Sequence, residues 1–189
     1  APNRITLKKE AMRDMVRAYV NIEDANPNQA IPFFRKAAPD DYLTLAENLA
    51  DLYSITGQFE KSNRLYRDLI GQQPNSYKTV HYEMQIAFNT RNMSRDATEI
   101  VKEVKRLVDL WRKVRDAKDA DPKKVAADGE KIEELVRSLS VQMHIQWTKT
   151  KNNDDYAISY ELYKDYVEVF PKGPNIYTIQ FYFAELAYA

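Results

Sequence analysis

The sequence predicts an all-α protein made of stacked helix pairs, and three observations predict it. A spacing of aromatic, small and apolar residues occurs twice, at Phe59, Ser62, Tyr66, Leu69 and Pro74 and again at Tyr156, Ser159, Tyr163, Tyr166 and Pro171, with steps of three, four, three and five residues each time. Upstream of the first copy, Ala46, Leu49, Ala50 and Tyr53 fall at helical spacing and form one stripe that must be buried against another helix. Farther on, two runs of three-four spacing, Ala97 to Val114 and Val125 to Trp147, are each long enough for roughly five helical turns or more.

Each element has a local reason. The first helix runs from about Thr6 to Ile22, with Met12, Met15, Val16 and Tyr19 inward. Asn26 and Pro27 then start the next as cap and first-turn proline. Ala30, Phe34 and Ala37 repeat the small-aromatic-small spacing, and Pro32 is expected to kink this second helix, closing a degenerate first unit at 5–39. The second unit, 43–76, spans 34 residues from Leu43 to Ser76. Gly57 can take the left-handed conformation that stops its first helix, and Pro74 cannot continue its second.

A third unit at 78–118 begins near Lys78, with Met84, Gln85 and Phe88 leading to Asn92 in place of the turn glycine, a residue that tolerates left-handed geometry. Its second helix overruns through Ala97, Ile100, Val101, Val104, Leu107, Val108, Trp111 and Val114 until Asp119 to Pro122 breaks it. The fourth unit, 122–172, opens with a long helix to about Lys151, its stripe being Val125, Ile132, Leu135, Val136, Leu139, Met143 and Trp147. With so short a connection, the two long helices are expected to form an extended antiparallel hairpin at about 94–151, inserted between repeats. Its charged tip, between Arg112 and Glu134, reads as a solvated face or a contact arm for a partner, and Gly129 weakens its second helix by about 1 kcal/mol relative to Ala.

At the end of the chain, 174–189 reads as half a unit, with Ile176, Ile179, Phe181, Phe183, Ala184, Leu186 and Ala187 apolar. Helical arrays close on polar capping helices, so the protein is expected to continue with further repeats, or else to self-associate through this face. The start at Ala1 rather than Met points to processing or truncation.

Composition narrows the function classes. Of 189 residues 44% are apolar and 30% charged, which suits an ordinary helix-rich protein with a sizeable core. Lys plus Arg and Asp plus Glu are both 28, so there is no net basic field and a nucleic-acid partner is disfavoured. With no cysteine there is no disulfide, thiolate metal site or cysteine nucleophile. No apolar run approaches the roughly 20 residues of a transmembrane segment, and no signal peptide is present.

Constellations for catalysis are thin, and neither a cofactor nor a metal is expected. The four glycines, Gly57, Gly71, Gly129 and Gly173, form no phosphate loop. His81 and His144 lie on different helices without a metalloprotease motif. The pairs Asp40-Asp41, Glu133-Glu134 and Asp154-Asp155 fall at helix starts, turns or charged faces, where capping and the helix dipole favour carboxylates. Of thirteen tyrosines, Tyr53, Tyr66, Tyr156 and Tyr163 occupy packing positions.

A 34-residue unit with an aromatic closing its first helix, a turn glycine, small-then-aromatic residues on its second helix and a terminal proline resembles the tetratricopeptide repeat (TPR). The resemblance covers about four-fifths of the chain, and its motifs are specific at 43–76 and 154–171. It implies a right-handed helical solenoid across 1–189 whose first helices line a groove that binds a protein or peptide. The places it assigns to that groove are Arg13 and Arg17, Glu47 and Asp51, Tyr82 and Asn89, and His144 and Lys151. Members that bind chaperone tails clamp a carboxylate with lysines and asparagines at these places. Glu47 and Asp51 would repel such a tail, so a peptide of basic character suits better.

The stretch EELVRSLSVQMHIQWTKT at 133–150, with the Tyr156 repeat and the ending FYFAELAYA, is similar to large bacterial envelope TPR proteins, including those of gliding-motility and surface-assembly systems. That similarity implies a scaffold in a larger bacterial assembly, periplasmic or outer-membrane-associated. The rival readings are a helical enzyme using the region of Tyr82 and His144, which needs a deep pocket and a strongly perturbed titratable group, and a structural homo-oligomer.

Overall fold

The computed structural model describes residues 2–22, 25–94 and 96–188, with side chains from residue 7 onward. Among the described residues there are nine helices and no strand, each helix packed against its neighbours. The chain divides into two compact units, Ala1–Arg95 and Asp96–Ala189, and the division falls inside the expected third repeat of 78–118.

The first unit holds α1 (Pro2–Val20), α2 (Pro27–Ala37), α3 (Tyr42–Ile55), α4 (Phe59–Gln72) and α5 (Lys78–Met93). Helix α1 begins earlier and ends two residues sooner than its periodicity suggests, leaving Ile22 about half exposed, at 49%. Val16 and Tyr19 are buried as expected, with Met12 and Met15 packed partly against them. Asn26 caps α2, its side chain accepting the Asn28 N–H at 3.0 Å. The helix continues through Pro32, which lies on the exposed face, and Ile31 joins Ala30 and Phe34 in the core while Ala37 stays outside.

Helix α3 follows its stripe: Leu45, Ala46, Leu49, Ala50 and Tyr53 are fully buried. It ends on Gly57 at φ 76°, where the Gln58 N–H reaches back to the Tyr53 carbonyl at 2.8 Å and the Gly57 N–H to Ser54 at 3.1 Å. These paired bonds satisfy carbonyls the helix leaves open, and a left-handed residue is what permits them. The same expectation fails at Asn92, which stays helical: its side-chain amide donates to the Phe88 carbonyl at 2.8 Å and α5 runs on to Met93. Phe88 is exposed, and Val80, Tyr82, Glu83, Ile86, Ala87, Asn89 and Thr90 are buried.

The second unit holds α6 (Ala97–Val114), α7 (Pro122–Thr150), α8 (Asn153–Val169) and α9 (Ile176–Tyr188). Asp96, Asp121 and Asn152 cap α6, α7 and α8, each side chain accepting a backbone N–H two residues on. The α6 stripe from Val101 to Val114 is buried, as are Ile132, Val136, Leu139, Met143 and Trp147 of α7.

The long helices do not form a free arm. Helix α7 packs more extensively on α8 than on α6, and α8 also flanks α6. Lys105 of α6 pairs with Glu161 at 3.4 Å and Asp165 at 3.6 Å, and Arg112 with Glu168 at 2.7 Å. Leu162, Tyr163 and Tyr166 need apolar cover, so the helix that follows the hairpin folds back along it. Helix α9 packs on α8 and touches α7.

Candidate functional site

Helices α1 and α3 bound a cleft of about 380 Å³ lined by Lys9, Arg13, Val16 and Arg17 from α1 and Asn48, Asp51, Leu52 and Ile55 from α3. The cations recur every fourth residue, which places them on one helical face. Arg13 and Arg17 are exposed, and among the described residues neither they nor Lys9 has an ion-pair partner. Lys9 was not singled out in the sequence, although its spacing from Arg13 and Arg17 was there to read.

The carboxylates of the same region are engaged inside the unit. Glu47 accepts from Lys78 Nζ at 3.0 Å and from the Tyr82 hydroxyl at 3.3 Å. Asp51 accepts the Tyr66 hydroxyl and lies 3.9 Å from Nε2 of His81. Burial pushes the Asp51 carboxyl up, but hydrogen bonds from His81 and Tyr66 and the charge of His81 outweigh it and hold the group below its ordinary value. Tyr66 and Tyr82 stack at 5.7 Å, and burial with the neighbouring carboxylates raises both phenols. These acids are held by partners within the unit, and the unpaired charges lining the cleft among the described residues are cations.

Two expected groove residues are buried. Tyr82 is fully covered, its hydroxyl shared between Glu47 and the Gln73 side-chain amide at 3.1 Å. Asn89 is fully covered as well, accepting the Ser54 hydroxyl at 2.6 Å and donating to Ser62 at 2.9 Å and Asn63 at 2.8 Å. It ties α3, α4 and α5 with both its amide oxygen and its amide nitrogen bonded, as a buried amide requires.

In the second unit His144 is buried rather than surface-lining. Its Nδ1 lies 3.1 Å from the Tyr163 hydroxyl, and its ring meets Trp147, Tyr163 and Tyr182. Burial holds its imidazole below the ordinary value, with Glu185 opposing and Lys151 assisting. Lys151 is exposed and ends α7 in the left-handed conformation, φ 54°, with its ammonium 4.1 Å from the Trp147 ring centre. Tyr82 and His144 fall in different units, and each is buried with its polar group held by a neighbouring side chain.

A larger cleft, about 1020 Å³, opens in the second unit between the end of α6, the first half of α7 and the turn after α8. Trp111 and Phe170 stack there at 5.8 Å with a 27° interplanar angle. A Cβ at Gly129 would stand 3.0 Å from Cζ2 of Trp111, so glycine lets the indole lie against the α7 backbone. That contact gives the helical glycine a packing reason. The sequence signal was the glycine itself in an otherwise strong helix.

Among the described residues no group of three or more metal-ligating side chains is placed to hold an ion, and no helix is long and apolar enough to cross a membrane. No protein-family model matches the sequence, and no curated protein matches it.

Proposed function

We propose that this chain is a tetratricopeptide-like helical repeat protein acting as a binding scaffold, and that the α1–α3 cleft receives an acidic, amphipathic segment of a protein partner. The observation that carries the reading is the row Lys9, Arg13 and Arg17, free of ion pairs among the described residues while Glu47 and Asp51 are engaged. Successive cations are about 6 Å apart along the helix axis, which matches glutamates one turn apart on a second helix. Leu52 and the exposed Ile55 supply an apolar strip beside the charges. Among the described residues the cleft has no aromatic for base stacking, which disfavours a single-stranded nucleic acid. The scaffold belongs to a larger bacterial assembly in this reading, in keeping with the envelope-protein resemblance of 133–150.

The test is fluorescence polarisation with a labelled helix-forming peptide carrying Glu every fourth residue and leucines beside them, against its Lys counterpart. The Glu peptide binds the wild type, and R13E/R17E loses about tenfold or more of that affinity. Equal binding of the two peptides, or an R13E/R17E variant that binds as well as wild type, would sink the reading.

One observation favours a second reading, self-association through α9. Tyr177, Phe181 and Tyr188 share a helical face and are 85%, 66% and 94% exposed. Light scattering on Y177E/F181E would show a smaller mass than the wild type if copies meet there; identical masses would exclude it.

A further inference from the structure

We propose that the open cleft of the second unit is a separate docking site for a protein segment that presents an aromatic or aliphatic side chain flanked by lysine or arginine. This deepens the scaffold reading and rests on it, but it concerns another surface and the opposite charge.

The floor is apolar. The Trp111–Phe170 stack is flanked by Val125, Ala126, Val169 and Pro171, and the volume of about 1020 Å³ has room for several side chains. Gly129 lets the indole lie close against α7, since a Cβ there would stand only 3.0 Å from Cζ2 of Trp111. An aromatic wall of this kind takes apolar anchors, and its face also attracts cations.

The rim decides the flanking charge. Arg137 lies 3.5 Å from Glu133, and that carboxylate also accepts from Tyr166 and, at 3.2 Å, from Asn175. Arg115 sits 5.6 Å from the Trp111 ring centre and 3.7 Å from Asp116. Two arginines and two acids of the rim therefore neutralise one another. Glu130 and Glu134 remain, one turn apart on α7, exposed and with no hydrogen bond or ion pair among the described residues. The opposing charge on the rim is Lys172, on another wall, in the turn after α8. The two free carboxylates sit together beside the apolar floor, so an anchor flanked by cations on their side is the complementary occupant.

The experiment uses the full chain as W147F, which leaves Trp111 the sole tryptophan, since the sequence has two. Its indole emission is followed while an acetylated Lys-Leu-Phe-Lys peptide, and separately Glu-Leu-Phe-Glu, is titrated in. The expected result is a saturable change in Trp111 emission with the lysine peptide binding about tenfold tighter, a preference that E130Q/E134Q largely removes. Ala126→Phe, which fills the cleft from an exposed position, abolishes binding of both. No emission change with either peptide, or equal affinity for the two, would overturn the proposal. Should W147F melt early by circular dichroism, the indole N–H resonance of wild-type Trp111, assigned with W111F, gives the same readout. The Glu-rich peptide of the α1–α3 cleft is measured alongside. If it binds and the lysine peptide does not, this proposal alone falls; if neither binds, the scaffold reading falls with it.

Discussion

The helix pairs α3–α4 and α7–α8 make one identical contact and then diverge. In the first pair Ser62 Oγ donates to the Ala50 carbonyl at 2.9 Å, and in the second Ser159 Oγ donates to the Ser140 carbonyl at 2.9 Å. Both serines are fully buried. One turn later on the same face stand Tyr66 and Tyr163, and their hydroxyls go to different chemistry: Tyr66 to the carboxylate of Asp51, Tyr163 to the imidazole of His144. The small residue needs only a backbone oxygen, which any close helix supplies. The tyrosine hydroxyl takes whatever side chain the facing helix presents, so the two pairs share a packing contact while their polar interiors differ.

The largest effect expected from breaking this comparison is shared. Tyr66→Ala and Tyr163→Ala each remove a fully buried ring and should cost about 3–5 kcal/mol by urea unfolding, on the scale of aromatic truncations in cores. A loss under about 1 kcal/mol at either site would mean the ring is not a packing element. The next effect separates the pairs. Tyr66→Phe strips a charged acceptor of its donor and should cost about 1.5–3 kcal/mol, against about 0.5–1.5 kcal/mol for Tyr163→Phe, whose partner is a neutral imidazole. Equal costs would refute the distinction between the two interiors. The serines should then differ by one bond: Ser159→Ala loses its buried hydrogen bond to a carbonyl, about 1 kcal/mol, whereas Ser62→Ala loses the matching bond and also the acceptor of the Asn89 amide, about 2 kcal/mol. Equal costs at the two serines would show that the bond from Asn89 adds nothing to the shared contact.

The same contrast explains what was legible in the sequence. The stripe Ala46, Leu49, Ala50 and Tyr53, the turn at Gly57, the cap at Asn26 and the break at Pro122 are local signals, and each appears where its spacing put it. Asn92 was misread because a left-handed asparagine and a helical one are equally compatible with the neighbouring residues; its bond to the Phe88 carbonyl settles the matter in space. Asn89 was misread for a longer-range reason. Its partners Ser54, Ser62 and Asn63 stand on two other helices, and no periodicity within α5 announces them. The partners of Glu47 and Asp51 were hidden for the same cause, since both look free until Lys78, Tyr82, Tyr66 and His81 come beside them.

The smallest expected effect is on acid stability, and it sorts the two pairs by pH. Burial lowers the His144 imidazole from its ordinary value of 6.5, so the unfolded chain takes up that proton first. More protons bound when unfolded means that stability rises with pH, so the contribution is complete above about 6.5 and declines as pH drops below it. Asp51 is also held below its ordinary value, 3.8, because bonds from His81 and Tyr66 overcome the upward push of burial. Its contribution is present above that value and is lost only as pH falls through the lowered one. Acidification should therefore weaken α7–α8 before α3–α4. Comparing the wild type with His144→Gln isolates the first step. The difference in unfolding free energy should be constant above pH 7 and should move against the wild type below pH 6.5. If it is flat from pH 8 to 5, His144 does not titrate below its ordinary value, and the two interiors are electrostatically more alike than their partners imply.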